Sequence, residues 1–231
     1  MTARSTIETQ AFANSKSIFN ICPILYTRLS HLLANIHDSS HDFASRREAE
    51  VWTNLKAGDK NALGFFYTKY LKSLYNYGMK VSRDTGLVED CIQDLFIGIW
   101  NSHSRLGDVT NVKSYLYKSL RTKIIYKLSL LSRTPLKDID SFNFALSHTA
   151  HYITQRVNAD VSDKIRQYIE TLSPQQKEAI FLIYYEELSY EEAAAIMDLK
   201  VKTVYNLIHL AIAKLRQNKT KLSPSVFFSL F

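Results

Sequence analysis

Between Leu87 and Trp100 the chain reads LVEDCIQDLFIGIW, and at about 100° per residue Leu87, Val88, Cys91, Ile92, Leu95, Phe96 and Ile99 fall on one broad helical face. That face is expected to be buried. Glu89, Asp90, Gln93 and Asp94 fall opposite, with Ile97 as an apolar position among them, and such a face suits either solvent or a basic partner. Upstream, Trp52, Leu55, Leu63, Phe66, Tyr67, Tyr70, Leu74 and Tyr77 also recur at helical spacing and read as core. Asp59 and Asp84 stand where their carboxylates can cap helix starts, and the helix from Leu87 ends near Asn101.

A polar loop through His103, Arg105, Gly107 and Asp108 leads into a predicted helix over Val112–Leu131. Val112, Leu116 and Leu120 mark its buried side, leaving Lys113, Tyr117, Lys118 and Arg121 outside it. Cations interleaved with tyrosines match the needs of single-stranded nucleic acid, charge for phosphates and flat rings for unstacked bases. A lysine-rich solvated face has the same pattern. Residues 132–159 sustain no period and hold Pro135 and several Ser and Thr, so they read as a linker. His148 and His151 have no carboxylate or thiol company that would make them metal ligands.

The last third is patterned most sharply. After a helix over Asp160–Leu172, Ser173 and Gln176 form a capping box with Pro174 at the first helical position, opening a helix that should run to about Glu187. Ser189 and Glu192 repeat the box before the short helix YEEAAAIM. A longer helix follows over Val201–Arg216, with Val201, Val204, Ile208, Ala211 and Leu215 on its apolar side and small Ala194 allowing close approach. This is a helix-turn-helix pattern, in which the second helix offers its first residues to a DNA major groove. Lys200, Lys202, Thr203, Tyr205, Asn206 and His209 would face outward; Asn206 can read adenine and Lys202 can reach guanine or a phosphate.

Charge sharpens this picture. The net charge of +7 suggests an anionic partner, but its distribution says more. Residues 84–94 hold four acids and no base, and 105–127 hold six bases and one acid; 161–198 hold eight acids against three bases, and 199–231 hold six bases and no acid. Two acidic patches each precede a basic one, as suits a protein touching both a protein partner and nucleic acid. With 6 Gly and 4 Pro in 231 residues the chain is globular and helix-rich. Cys22 and Cys91 lack zinc or redox spacing and read as reduced thiols in a cytoplasmic protein. There is no nucleophile elbow, phosphate loop or metal cluster of useful spacing, so neither an enzyme nor a bound cofactor or metal is expected. The apolar run near Ile18–Leu33 is broken by Pro23 and Arg28 and is too short to insert in a membrane.

Glu89, Asp90, Cys91, Ile92, Gln93, Asp94, Leu95, Phe96 and Trp100 match a signature of acid, Asp, two apolar residues, Gln, acid, two apolar residues and a following Trp. LSPQQKEAIFLIYYEELSYEEAAAIM followed by KVKTVYNLIHLAIAKLR matches a second one. In this order the two resemble regions 2 and 4 of the extracytoplasmic-function group of bacterial RNA polymerase sigma factors, over roughly Ala49–Gln217. The resemblance implies an all-α chain of two small helical domains, region 2 over 49–131 and region 4 over 160–222. The linker would be flexible, and 1–48 and the apolar tail 223–231 lie outside the family pattern. It further implies that Asp90, Gln93 and Asp94, with Ile97, dock on the core polymerase. The helix from Val112 and the loop before it would open the minus-ten promoter element and hold flipped bases. Region 4 would read the minus-thirty-five element, and an anti-sigma factor is a further candidate partner. Asp198 stands where the turn often has Gly, Lys200 where a Ser or Thr cap is common, and Leu207, Leu210 and Ile212 thin out the cations of the recognition helix. The alternative is an autonomous helix-turn-helix regulator acting as a dimer, which would bind a palindromic duplex without polymerase.

Overall fold

A computed structural model describes residues 48–132, residue 142 and residues 169–217. The N-terminal extension, most of the linker, most of the helix expected over Asp160–Leu172, the apolar tail, Cys22, His148, His151 and the side chain of Leu215 lie outside the described residues. The described residues are all-α: α1 Glu48–Lys56, α2 Lys60–Val81, α3 Thr85–Asn101, a 3-10 turn His103–Arg105, α4 Val112–Ser132, α5 Pro174–Ile180, a π turn Phe181–Tyr185, α6 Tyr190–Met197 and α7 Val201–Gln217. Helix starts follow local chemistry. The Asp84 carboxylate accepts from the Leu87 N–H at 3.0 Å and caps α3, and both capping boxes close in both directions.

The fold divides into two compact units. One takes in the described residues up to Tyr77 together with Asp84–Leu116, the other Gly78–Arg83 and the described residues from Tyr117 onward. In the first, Trp52 of α1 meets Phe66 of α2 at 5.8 Å and Tyr115 of α4 at 5.3 Å, and Tyr67 of α2 meets Phe96 of α3 at 5.1 Å. These edge-on pairs favour the ring quadrupoles and fix how the helices cross. Leu55, Leu63, Phe66, Leu74, Ile92 and Phe96 are fully buried, as the helical spacing predicts, and so is the thiol of Cys91.

In the second unit α7 packs on α5 and α6 through Val204, Ile208 and Ala211, all buried, whereas Val201 is half-buried. The α-helix expected to reach about Glu187 stops at Ile180. The chain widens into the π turn, where the Glu186 N–H donates to the Phe181 carbonyl at 3.1 Å and the Phe181 and Tyr185 rings stack at 5.8 Å. Glu187 then reverses direction at φ 54, and Asp198 takes the left-handed turn position between α6 and α7 at φ 55, ψ 43. Among the described residues no helix is long and apolar enough to cross a membrane.

Candidate functional site

Three surfaces gather the residues singled out by the sequence. The first is a ridge on α3, where Asp90 and Asp94 are exposed one turn apart and Ile97 is half-buried beside them. Gln93, expected on this face, is instead buried at 2% exposure, and Glu89 at 7%. Both follow Phe96 round the helix, so the buried arc covers about two thirds of the circumference rather than half. No acceptor among the described residues meets the Gln93 Nε2, which is also shielded from solvent. The acidic ridge is thus narrower than its sequence pattern, with an unsatisfied buried amide beneath it.

The second surface belongs to α4 and the loop before it. That loop is pinned to α1: the Trp52 Nε1–H donates to the Gly107 carbonyl at 3.0 Å, and Lys56 Nζ sits 2.5 Å from the Asp108 carboxylate, whose pKa the hydrogen bond and charge of Lys56 lower. His103 stacks on Trp100 at 5.0 Å, its Nδ1 2.7 Å from the Trp100 carbonyl, and closes the end of α3. Where the loop enters α4, a cavity of about 300 Å³ opens between Val109–Lys113 and Glu48 and Tyr70. The Tyr70 hydroxyl donates to Glu48 at 2.5 Å, and Lys69 pairs with the same carboxylate at 2.6 Å. Burial, then the Glu48 hydrogen bond and charge, push the Tyr70 pKa up, so it stays a neutral phenol there.

Along α4 the expected face is only partly on the outside. Lys118 is exposed and Lys113 half-buried, but Tyr117 is fully buried and Arg121 is 4% exposed. The reason for Arg121 is an acid from α5. Its Nε donates to Glu178 Oε1 at 2.9 Å and its Nη2 to Glu178 Oε2 at 3.3 Å. Ile124, one turn on from Leu120, extends the buried arc towards Tyr117. The outward ridge is Lys118, Thr122 and Tyr126, the last 63% exposed, with Lys123 and Lys127 half-buried along one side of it. Tyr126 was not singled out by sequence; its signal was the four-residue step from Lys118 through Thr122.

The third surface is the start of α7. Lys200, Lys202, Tyr205, Asn206 and His209 are exposed and Thr203 is half-buried. The Leu199 N–H donates to the Ala194 carbonyl at 3.0 Å, closing the turn that aims this helix. The Tyr205 ring lies flat on Tyr190 of α6, centroids 3.9 Å apart and 6° from parallel, which fixes its outward direction. Burial, with Tyr184 and Tyr205 nearby, raises the Tyr190 pKa. Leu210, 54% exposed, interrupts the polar face one turn further on. Among the described residues no cluster of His, Cys, Asp or Glu could hold a metal ion.

Comparison with known proteins finds two family models along the chain. Residues 66–134 match the family model for sigma-70 region 2, and residues 162–215 match that for sigma-70, region 4. RNA polymerase sigma factor YlaC of Bacillus subtilis strain 168 is 24% identical over 167 residues, covering 70% of this chain and 94% of that protein. The ECF RNA polymerase sigma-E factor of Escherichia coli strain K12 is 29% identical over 167 residues, covering 68% of this chain and 86% of that protein. Among solved structures, CnrH in complex with the cytosolic domain of CnrY superposes with a TM-score of 0.50 at 20% identity, over 76% of this chain and 99% of CnrH, a likeness of fold.

Proposed function

We propose, from the premise that this chain belongs to the sigma-70 family in its extracytoplasmic-function group, that it binds core RNA polymerase and directs promoter recognition and melting at transcription initiation. Its place of work is the cytoplasm. The polymerase carries out the chemistry, and this chain contributes surfaces rather than a catalytic group. The observation that carries the assignment is the co-occurrence, in family order, of a region 2 match and a region 4 match on one chain, each with an exposed polar face of the required sign. Nothing observed favours the autonomous dimeric regulator.

The site residues follow by surface. The α3 ridge of Asp90, Asp94 and Ile97 docks on a basic element of the polymerase, and Gln93 lies beneath it. Two acids desolvated on docking, with an apolar residue beside them, give such a surface both register and affinity. The loop before α4 and the α4 ridge take the nontemplate strand. The cavity at Val109–Lys113 is of a size for a small flat ligand, and a nucleobase turned out of the stack is the occupant this reading assigns to it. Lys113 supplies charge at its edge, and Lys118 and Tyr126 supply charge and a ring further along α4. At the start of α7, Lys200, Lys202, Thr203, Tyr205, Asn206 and His209 meet the minus-thirty-five duplex. An anti-sigma factor would act by covering the α3 ridge.

The test is reconstitution. Purified chain added to core polymerase should form a complex and support run-off transcription from a promoter mapped for it. A folded chain that neither binds core nor starts transcription overturns the assignment.

A further inference from the structure

The fork of Arg121 around Glu178 is a deeply buried ion pair: the two side chains are 5% and 1% exposed. Both residues lie in the second unit. A guanidinium binds a carboxylate and a phosphate with the same two-pronged geometry, so what Glu178 occupies is a phosphate-binding group on a helix read here as contacting nucleic acid. The pair does not stand alone. Three residues after Glu178, Phe181 packs against Phe142 at 5.8 Å and lies under Lys80 Nζ at 5.1 Å. Burial lowers the Lys80 pKa, while the Glu186 carboxylate draws it back up. Charge and ring contacts therefore hold α5 and the π turn where Glu178 meets Arg121.

We infer that Glu178 is an internal substitute for a DNA phosphate, which latches α5 onto α4 and withholds Arg121 from nucleic acid until the latch opens. This rests on the reading that α4 contacts the nontemplate strand. A buried ion pair gives little net stability against an apolar one of the same shape, yet it strongly resists loss of one partner. That is the behaviour of a latch, which releases when phosphate replaces carboxylate and not when Arg121 is simply left bare. The closed state lowers apparent DNA affinity in proportion to the small fraction of chains that are open. A partner that moves α5 away then switches on DNA binding without adding a contact to the DNA.

The experiment uses the full chain and a fluorescein-labelled single strand spanning the minus-ten element of a promoter mapped for it, with anisotropy read across a salt series. Glu178→Gln should bind at least roughly ten-fold tighter than the wild type. Its log–log salt slope should be steeper by about 0.7, for one more phosphate contact on a single strand. The double variant Glu178→Gln, Arg121→Gln should lose the gain, because the released group is Arg121. Equal or weaker binding by folded Glu178→Gln, or a gain that persists in the double variant, overturns the latch. Should Glu178→Gln fail to fold, amide exchange on the wild type decides. Saturating single strand should deprotect the backbone amides of residues 176–180, and unchanged protection there overturns the latch. Run-off transcription by the wild type with core polymerase, alongside a negative result on the latch, leaves the sigma assignment standing; absence of core binding removes the assignment itself.

Discussion

Replacing Gln93 by Met separates stability from function at the α3 ridge. The Gln93 side chain is 2% exposed, and its Nε2 finds no acceptor among the described residues. A buried donor left unsatisfied costs about 1–3 kcal/mol. Met is unbranched, close to Gln in volume and adaptable in a core, so it removes the donor with little repacking. Allowing for about 1 kcal/mol lost with any bond made by the amide oxygen, the net gain should be about 1 kcal/mol. In a chain of this size that raises Tm by about 2–4 °C. Local rules are broken most often at functional sites, and an orphaned amide next to two exposed acids fits that pattern. Gln93→Met should therefore melt higher by circular dichroism while binding core polymerase roughly ten-fold more weakly. A drop in stability of more than about 1 kcal/mol would mean that the amide is satisfied in the folded chain. Unchanged core binding would show that the buried amide beneath the ridge plays no part in docking.

Further predictions concern the second unit and its exposed ridge. Glu187→Gly should stabilise the chain by about 1 kcal/mol, because Glu187 holds a left-handed φ of 54 that glycine adopts freely; Asp198→Gly, at φ 55, should gain less, since Asp tolerates that region better. Urea melts of both variants check the order. Ser189→Ala removes the acceptor for the Glu192 N–H, made at 3.1 Å, and should cost about 1 kcal/mol by the same melts while weakening binding of minus-thirty-five duplex. Tyr126→Ala should leave the melt unchanged and weaken single-strand binding by about 1–3 kcal/mol if its ring stacks on a base.

Much of this was legible in the sequence because it is local. Helical period placed α3, α4 and α7 to within a residue or two, and the two boxes at Ser173 and Ser189 were visible as spacings before they were visible as hydrogen bonds. What escaped depends on neighbours distant in the chain. Arg121 looked outward on its own helix and is buried only because α5 presents Glu178 to it, 57 residues on. Gln93 looked outward because a one-helix projection assumes a half-buried helix, whereas α3 is enclosed over more of its surface. The π turn at Phe181–Tyr185 reflects ring stacking and backbone pairing that no propensity scale resolves. The cavity at Val109–Lys113 needed Tyr70 and Glu48 from other elements to close it.

The central claim is that the acidic ridge of α3 docks on core polymerase, and charge reversal there tests it most directly. Asp90 and Asp94 are exposed, so Asp90→Lys and Asp94→Lys should each leave the circular dichroism spectrum of the chain unchanged and shift its stability by no more than about 1 kcal/mol. Measured by anisotropy of labelled chain titrated with core polymerase, each should weaken binding roughly a hundred-fold, because a lysine placed against a basic partner replaces attraction with repulsion. Two folded variants that bind core as tightly as the wild type would contradict the account and return the ridge to solvent.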